Sequence, residues 1–259
     1  MLRPRIIPSL LYSNKGLVKT SKFGSPKYVG DPINAVKIFN EKKVDELAFF
    51  DIDATVMNQE PDYDLISKLA SQSRMPLCYG GGVKTVEHAQ RIFSLGIEKI
   101  ALSSAVISNP NLIYKIGERV GIQSVVVVLD VKKNWLSGYE LYTHNGKKST
   151  GRRPSDFLSE ICELGVGEVV INSIDNDGMM SGFDTELLDS LIEQTSIPIT
   201  ILGGAGSLED FEKMITRYGI IGVAAGSFFV FKGPYRAVLI NYPSREMKEE
   251  LFKKSINED

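Results

Sequence analysis

The chain alternates short apolar runs with longer amphipathic stretches along nearly its whole length. Eight runs have strand length: "RIIPSL", "DELAFFDID", "PLCYGGG", "EKIALSS", "SVVVVLDV", "GEVVINSID", "PITILGG" and "GIIGVAAGS". They are rich in Val, Ile and Phe and almost continuous in hydrophobicity, the pattern of strands covered on both faces. The stretches between them carry helix-start signals. Asp31-Pro32 sets a cap before a proline at the first helical position. Thr85 and Ser207 can cap the helices after two glycine-rich turns. Pro154-Ser155 opens another helix and Pro243-Ser244 the last. Eight strand–helix units in this order predict a (β/α)8 TIM barrel, with residues 1–259 as one domain.

Two connections are longer than the rest. "YSNKGLVKTSKFGSPKYVGDP" follows the first strand as a loop, and "KKNWLSGYELYTHNGKKSTGRRP" follows the fifth as a β-hairpin turning at Asn145-Gly146. Both follow strands, so both belong to the face where such barrels carry their chemistry. Loops of this length are more often lids or binding loops than filler.

The chain also repeats itself. Glu46 and Glu168, Asp53 and Asp175, Pro76 and Pro198, and Gly82 and Gly204 each lie 122 positions apart. "DELAFFDIDA" matches "GEVVINSIDN", and "MPLCYGGGVKTVE" matches "IPITILGGAGSLE". Four matches at one offset predict a barrel built from two half-barrels.

Composition narrows the function. A net charge of −2 gives no reason to expect nucleic acid or an anionic membrane as partner. No apolar run reaches ~18 residues, so a membrane span is not expected. Cys78 and Cys162 lack metal-ligand spacing, and reduced thiols of a cytoplasmic protein are the default reading. With only His88 and His144, neither a histidine-based metal site nor a Ser-His-Asp triad is expected. No cofactor is called for.

Each half closes with a glycine-rich turn and then a small-residue turn. The first half has Gly80, Gly81 and Gly82, then Ser103 and Ser104; the second has Gly203 and Gly204, then Ala225, Gly226 and Ser227. Such turns let backbone N–H groups approach an anion, and a helix N-terminus adds partial positive charge. Two cradles related by an internal two-fold suit a small molecule phosphorylated at both ends.

Taken together, "RIIP", "GDP", "DEL.F.DI.A", "GGG", "NP.LI", "VVV.D.K", "GKK.TG", "SID.DG..SG.DTE" and "GGAG" resemble the histidine-biosynthesis barrels, most closely HisF, the cyclase subunit of imidazole glycerol phosphate synthase. The resemblance covers nearly the whole chain. It implies a bis-phosphorylated ligand at the top of the barrel and a HisH-like glutaminase at the bottom that supplies ammonia. It also implies two aspartates as general acid and base, ending the first and fifth strands. Asp130 matches the second of these, and Lys19, Asp51, Asp175, Asp177 and Gly178 match other family positions. Asp177 and Gly178 join the two cradles as expected phosphate-site residues.

The first aspartate is missing. Aligning "RIIPSLLY" with "SVVVVLDV" puts Leu11 opposite Asp130, and the resemblance gives the same answer. General acid–base groups contribute roughly 10²- to 10⁴-fold each, and leucine transfers no proton. Tyr12 alternates to the other side of the strand. Leu202 and Ser103 also depart from the family's serine and asparagine. At the other end, Arg5, Glu46, Lys99 and Glu168 match the family's charged ring where ammonia enters, and Glu98 matches a carboxylate that meets the glutaminase. Two cations and two anions can neutralise one another, as buried charges require.

The expectation is a HisF-like barrel that has lost cyclase chemistry, like the HisF-type paralogues of bacterial surface-polysaccharide clusters. It would bind the glutaminase and pass ammonia to a separate sugar amidotransferase acting on a nucleotide sugar. Two alternatives stay open: an authentic cyclase of histidine biosynthesis, and a scaffold that activates the glutaminase but conducts nothing.

Overall fold

The computed structural model describes residues 3–135 and 138–254; Leu136 and Ser137 of the second long connection, and both chain ends, lie outside them. Eight parallel strands form the barrel: β1 (Arg5–Ser13), β2 (Leu47–Asp51), β3 (Leu77–Gly80), β4 (Lys99–Leu102), β5 (Val125–Asn134), β6 (Glu168–Ser173), β7 (Ile199–Leu202) and β8 (Gly222–Ala225). Each pairs with the next, and β8 pairs with β1 through Arg5↔Gly222 to Pro8↔Ala225, which closes the cylinder. The expected barrel is therefore present, with helices on its outside.

The start signals act where the sequence put them. Asp31 accepts from Asn34 N and Thr85 from His88 N, while Ser207 and Asp210 form a capping box. Each satisfies amide groups that a helix N-terminus leaves without intrahelical partners. Asp62 and Asp184, 122 residues apart, cap their helices in the same way.

Burial divides into two sets, as a barrel requires. One lies between strands and helices and contains Ile6, Phe49, Val127, Ile171 and Phe211. The other fills the barrel interior with Ile7, Ala48, Cys78, Ala101, Val126, Val128, Val170, Leu202 and Ala224. Alternate residues of a strand feed the two sets.

The first long connection differs from expectation. It is not a loop: Gly16–Ser21 pairs antiparallel with the end of β1, and Gly24–Gly30 pairs with Gly16–Ser21. Both reversals are two-residue turns with positive φ, at Asn14-Lys15 and Lys22-Phe23. Such turns match the twist of antiparallel strands. The second connection carries the expected turn: Gly138–Thr143 returns along β5 and then pairs with Lys148–Ser149 around His144–Lys147.

Candidate functional site

The upper mouth of the barrel holds a cavity of about 650 Å³. Every candidate phosphate residue lines it: Gly81, Gly82, Ser103, Ser104, Asp177, Gly178, Gly203, Gly204, Ala225 and Gly226. So do Leu11, Lys19 and Asp130. The two cradles correspond residue by residue. Gly81 and Gly203 have φ of +128° and +97°, and a Cβ on either would fall within 2.8 Å of a backbone oxygen, Asp51 O and Ser173 O respectively. Asp51 and Ser173 are themselves 122 positions apart, so the repeat reaches down to individual contacts.

The two halves nevertheless carry different chemistry. Asp130 pairs in register with Asn172, and Leu11 with Phe50. Asn172 and Phe50 are repeat partners, so Leu11 and Asp130 occupy equivalent places. In the second half Asn172 Nδ2 donates to Asp130 Oδ1 at 2.8 Å, and Ser103 Oγ, from the end of β4 in the first half, donates across to Oδ2 at 3.2 Å. In the other half a leucine stands beside a phenylalanine.

Burial lifts the Asp130 carboxyl to about 6; the bonds from Asn172 and Ser103 pull it back, and the Asp177 carboxylate pushes it further up. Lys19 is buried, lies close to Gly226 and donates to Ser9 O at 2.5 Å. Burial lowers its ammonium to about 8 against the pull of Asp177. The other carboxylates in the mouth are engaged. Asp51 accepts from Asp53 N and Ala54 N. Asp177 accepts from Thr20 Oγ1 at 2.6 Å and Phe23 N at 3.2 Å. Tyr12 packs on Phe49 outside the cavity.

The lower end is closed by charge. Arg5 Nη1 lies 2.5 Å from Glu46 and Nη2 2.7 Å from Glu168. Lys99 Nζ lies 2.9 Å from both carboxylates. The Thr200 hydroxyl also donates to Glu168. Burial alone would raise Glu168, but Arg5 and Lys99 hold it below the ordinary carboxylate value. Burial likewise works against Lys99, and Glu168 and Glu46 outweigh it and raise the ammonium. Above the ring lies a cavity of about 20 Å³ lined by Cys78, Val126, Val170 and Ala224. Ser9, Phe50 and Leu202 border both this space and the upper mouth. Exposed Glu98 accepts from Leu77 N at 2.9 Å at the same end.

The sequence signature of the family described as "Histidine biosynthesis protein" matches residues 5–235. The chain belongs to this family. It is HisF-like: a protein of Leptospira borgpetersenii provisionally named imidazole glycerol phosphate synthase subunit HisF is 54% identical over 97% of this chain and 100% of its own length. A Vibrio vulnificus protein with the same provisional name, as hisF3, is 54% identical over 98% of each chain. The protein named without qualification imidazole glycerol phosphate synthase subunit HisF from Gluconacetobacter diazotrophicus is 37% identical over 89% of each.

In this HisF-like chain the fold assembles nearly all the site residues read from the sequence, as two groups at opposite ends of one barrel. Asp177 and Gly178 have a further part that spacing did not reveal. The Asp177 carboxylate anchors the Thr20–Phe23 segment, and a Cβ on Gly178 would fall 2.0 Å from Thr20 O. They dock the first hairpin onto the mouth. Sequence reasoning missed Asn172, although it is the polar residue at the upper end of the inward alternation Glu168, Val170, Asn172. It also missed Phe23 and the cover that Phe23 forms with the second hairpin. Asn145 Nδ2 donates to Ile52 O at 2.8 Å, and Gly146 sits against Phe23 and Ile174. Among the described residues, no helix is long and apolar enough to cross a membrane, and no cluster of three or more His, Cys, Asp or Glu could hold a metal ion.

Proposed function

We propose that this chain is the HisF-like subunit of a glutamine amidotransferase system that conducts ammonia and no longer cyclises. A HisH-like glutaminase docks at the end closed by Arg5, Glu46, Lys99 and Glu168. Ammonia released there passes the ring and the small interior cavity and reaches the upper mouth. A separate amidotransferase then uses it on a nucleotide sugar of surface-polysaccharide synthesis.

Leu11 carries the reading. It stands in the cavity at the position equivalent to Asp130, beside Phe50, where a second proton-transfer group would have to be. Asp51 and Asp177 already accept hydrogen bonds from neighbouring groups, and Tyr12 lies outside. None of the other titratable groups that line the mouth, Asp51, Asp177, His144 and Lys19 among them, stands at that equivalent place. The four-charge ring supports conduction: its groups are paired, so it excludes ions, yet a small neutral molecule can pass if one pair opens. The cradles keep their glycine geometry and support binding of a phosphorylated small molecule in the mouth.

Conduction and mere activation of the glutaminase separate in the reconstituted complex. Lys99→Ala is expected to lower glutamine-driven amidation while glutamine hydrolysis continues. If both activities hold, the barrel is a scaffold and conducts nothing.

A further inference from the structure

The upper rim of the barrel carries a charge that the chain's overall balance conceals. The connections after β1, β5 and β8, residues 12–30, 131–153 and 226–243, hold twelve of the 30 Lys and Arg residues and one, Glu140, of the 32 Asp and Glu. The net charge of the whole chain is −2, so the remainder is strongly acidic. Of these twelve cations only Lys19 and Lys148 line the mouth, so the others are not part of the phosphate cradles. Among the described residues, only Lys133 and Arg152 of the twelve form an ion pair.

Exposed aromatic side chains mark the same three connections. Tyr235 is 94% exposed, Trp135 89% and Tyr28 65%, more than any other large apolar side chain among the described residues. One stands on each connection. A single exposed aromatic needs no explanation. Three that coincide with three cationic segments do, and Tyr, Trp and Arg are the residue types that anchor protein interfaces.

The three segments form one rim. β1 and β5 stand opposite each other in the closed cylinder, and β8 adjoins β1. Lys27 Nζ lies 5.4 Å from the centre of the Phe231 ring, which joins the first hairpin to the turn where Phe231–Lys232 pairs with Ala237–Val238. Gly146 sits against Phe23, which joins the first hairpin to the second. Phe23, His144 and Gly226 each line the mouth, so whatever covers the rim covers the mouth as well. A lipid surface there would set headgroups and hydrocarbon over the opening and offer ammonia no acceptor. A protein with its own site does offer one, and the cations require its contacting face to be acidic.

We propose that the upper rim is a docking surface for an acidic face of the ammonia-consuming amidotransferase, with Tyr28, Trp135 and Tyr235 as its anchors. Opposite charge guides the approach and the aromatic side chains hold the complex. The assignment rests on the conduit reading and says where the consumer of ammonia sits.

Mixing the purified full chain with the purified amidotransferase tests it. Sedimentation velocity reads the complex, and carbodiimide cross-linking joins lysine amines to carboxylates that touch them. The expected complex weakens as potassium chloride is raised, since salt screens exposed charges. Cross-links are expected from Lys27, Lys132 or Lys232 to acidic residues of the partner. Tyr235→Ser is expected to weaken binding roughly 30-fold, the scale of an anchor residue, and Lys232→Glu to slow association. Both side chains are exposed, so both variants are expected to keep the parent's Tm. Absence of a complex overturns the assignment. So do cross-links to a second copy of this chain alone, binding that both variants leave unchanged, or capture of anionic phospholipid vesicles in place of the amidotransferase. Lys99→Ala leaves the rim intact. A complex that forms while Lys99→Ala leaves amidation unchanged sinks the conduit reading and keeps the docking surface; Lys99-dependent amidation without a complex does the reverse.

Discussion

At the scale of single residues, the two halves hold different groups at equivalent places, Leu11 in one and the enclosed Asp130 in the other. Its enclosure costs stability. The native state holds the Asp130 proton up to about pH 6, above the ordinary aspartate value of 3.8. An acid whose folded pKa is raised weakens the fold when ionised, so the cost is full above about pH 6 and fades as pH falls toward 4. Asp130→Asn is therefore expected to be more stable than the parent by up to about 3 kcal/mol at pH 8, with the gap closing near pH 4. Urea melts at the two pH values measure this. Equal stability at pH 8 would mean that Asp130 is not the strained group the geometry indicates.

The ring at the other end has the opposite sign. Glu168 is held below its ordinary 4.5, so its contribution is present above that value and lost as pH falls through the lower folded pKa. Glu168→Ala leaves Arg5 and Lys99 short of a partner and is expected to cost ~3–5 kcal/mol at pH 7. The same melts, repeated below pH 4.5, should show the difference shrinking.

Much of this detail was open to sequence reasoning, and the failures have physical causes. Caps were legible because Asp31, Thr85 and Ser207 act within three residues of themselves. Asn172 was missed because its meaning depends on strand pairing with β5, a contact 42 residues away.

At the scale of elements, the two hairpins decide how the mouth is covered. The first was read as a loop because Gly16–Thr20 is buried throughout and shows no alternation. Its turn residues, Asn14-Lys15-Gly16, were the signal available. Its docking depends on Asp177 and Gly178, whose spacing suggested ligand binding alone. Gly178 has φ +69° and no room for a Cβ against Thr20 O. Gly178→Ala should therefore loosen this hairpin without unfolding the barrel. Hydrogen exchange is expected to rise across residues 16–30 and stay unchanged in β5 and β6. Protection unchanged at 16–30 would show that the hairpin is held elsewhere.

At the scale of the whole molecule, the barrel and its two-fold repeat were legible because both are written as periodicity. The eight apolar runs fall on the eight strands, and the 122-residue offset recurs in caps, glycine contacts and the pairing of Asn172 and Phe50 with their neighbours. The molecule is symmetric in scaffold and asymmetric in chemistry. Its lower end holds a ring of four charges, while its upper end holds two glycine cradles around one enclosed aspartate with a leucine at the equivalent place. That combination fits delivery of ammonia more readily than its consumption in the barrel. The most direct measurement is turnover of the bis-phosphorylated aminoimidazole precursor by the purified chain supplied with an ammonium salt, so that no glutaminase is needed. The expected result is no cyclisation by the parent and measurable cyclisation by Leu11→Asp. Turnover by the parent at a rate typical of cyclases, ~1–10³ s⁻¹ for enzymes generally, would contradict the loss of cyclase chemistry and make this chain a working enzyme of histidine biosynthesis.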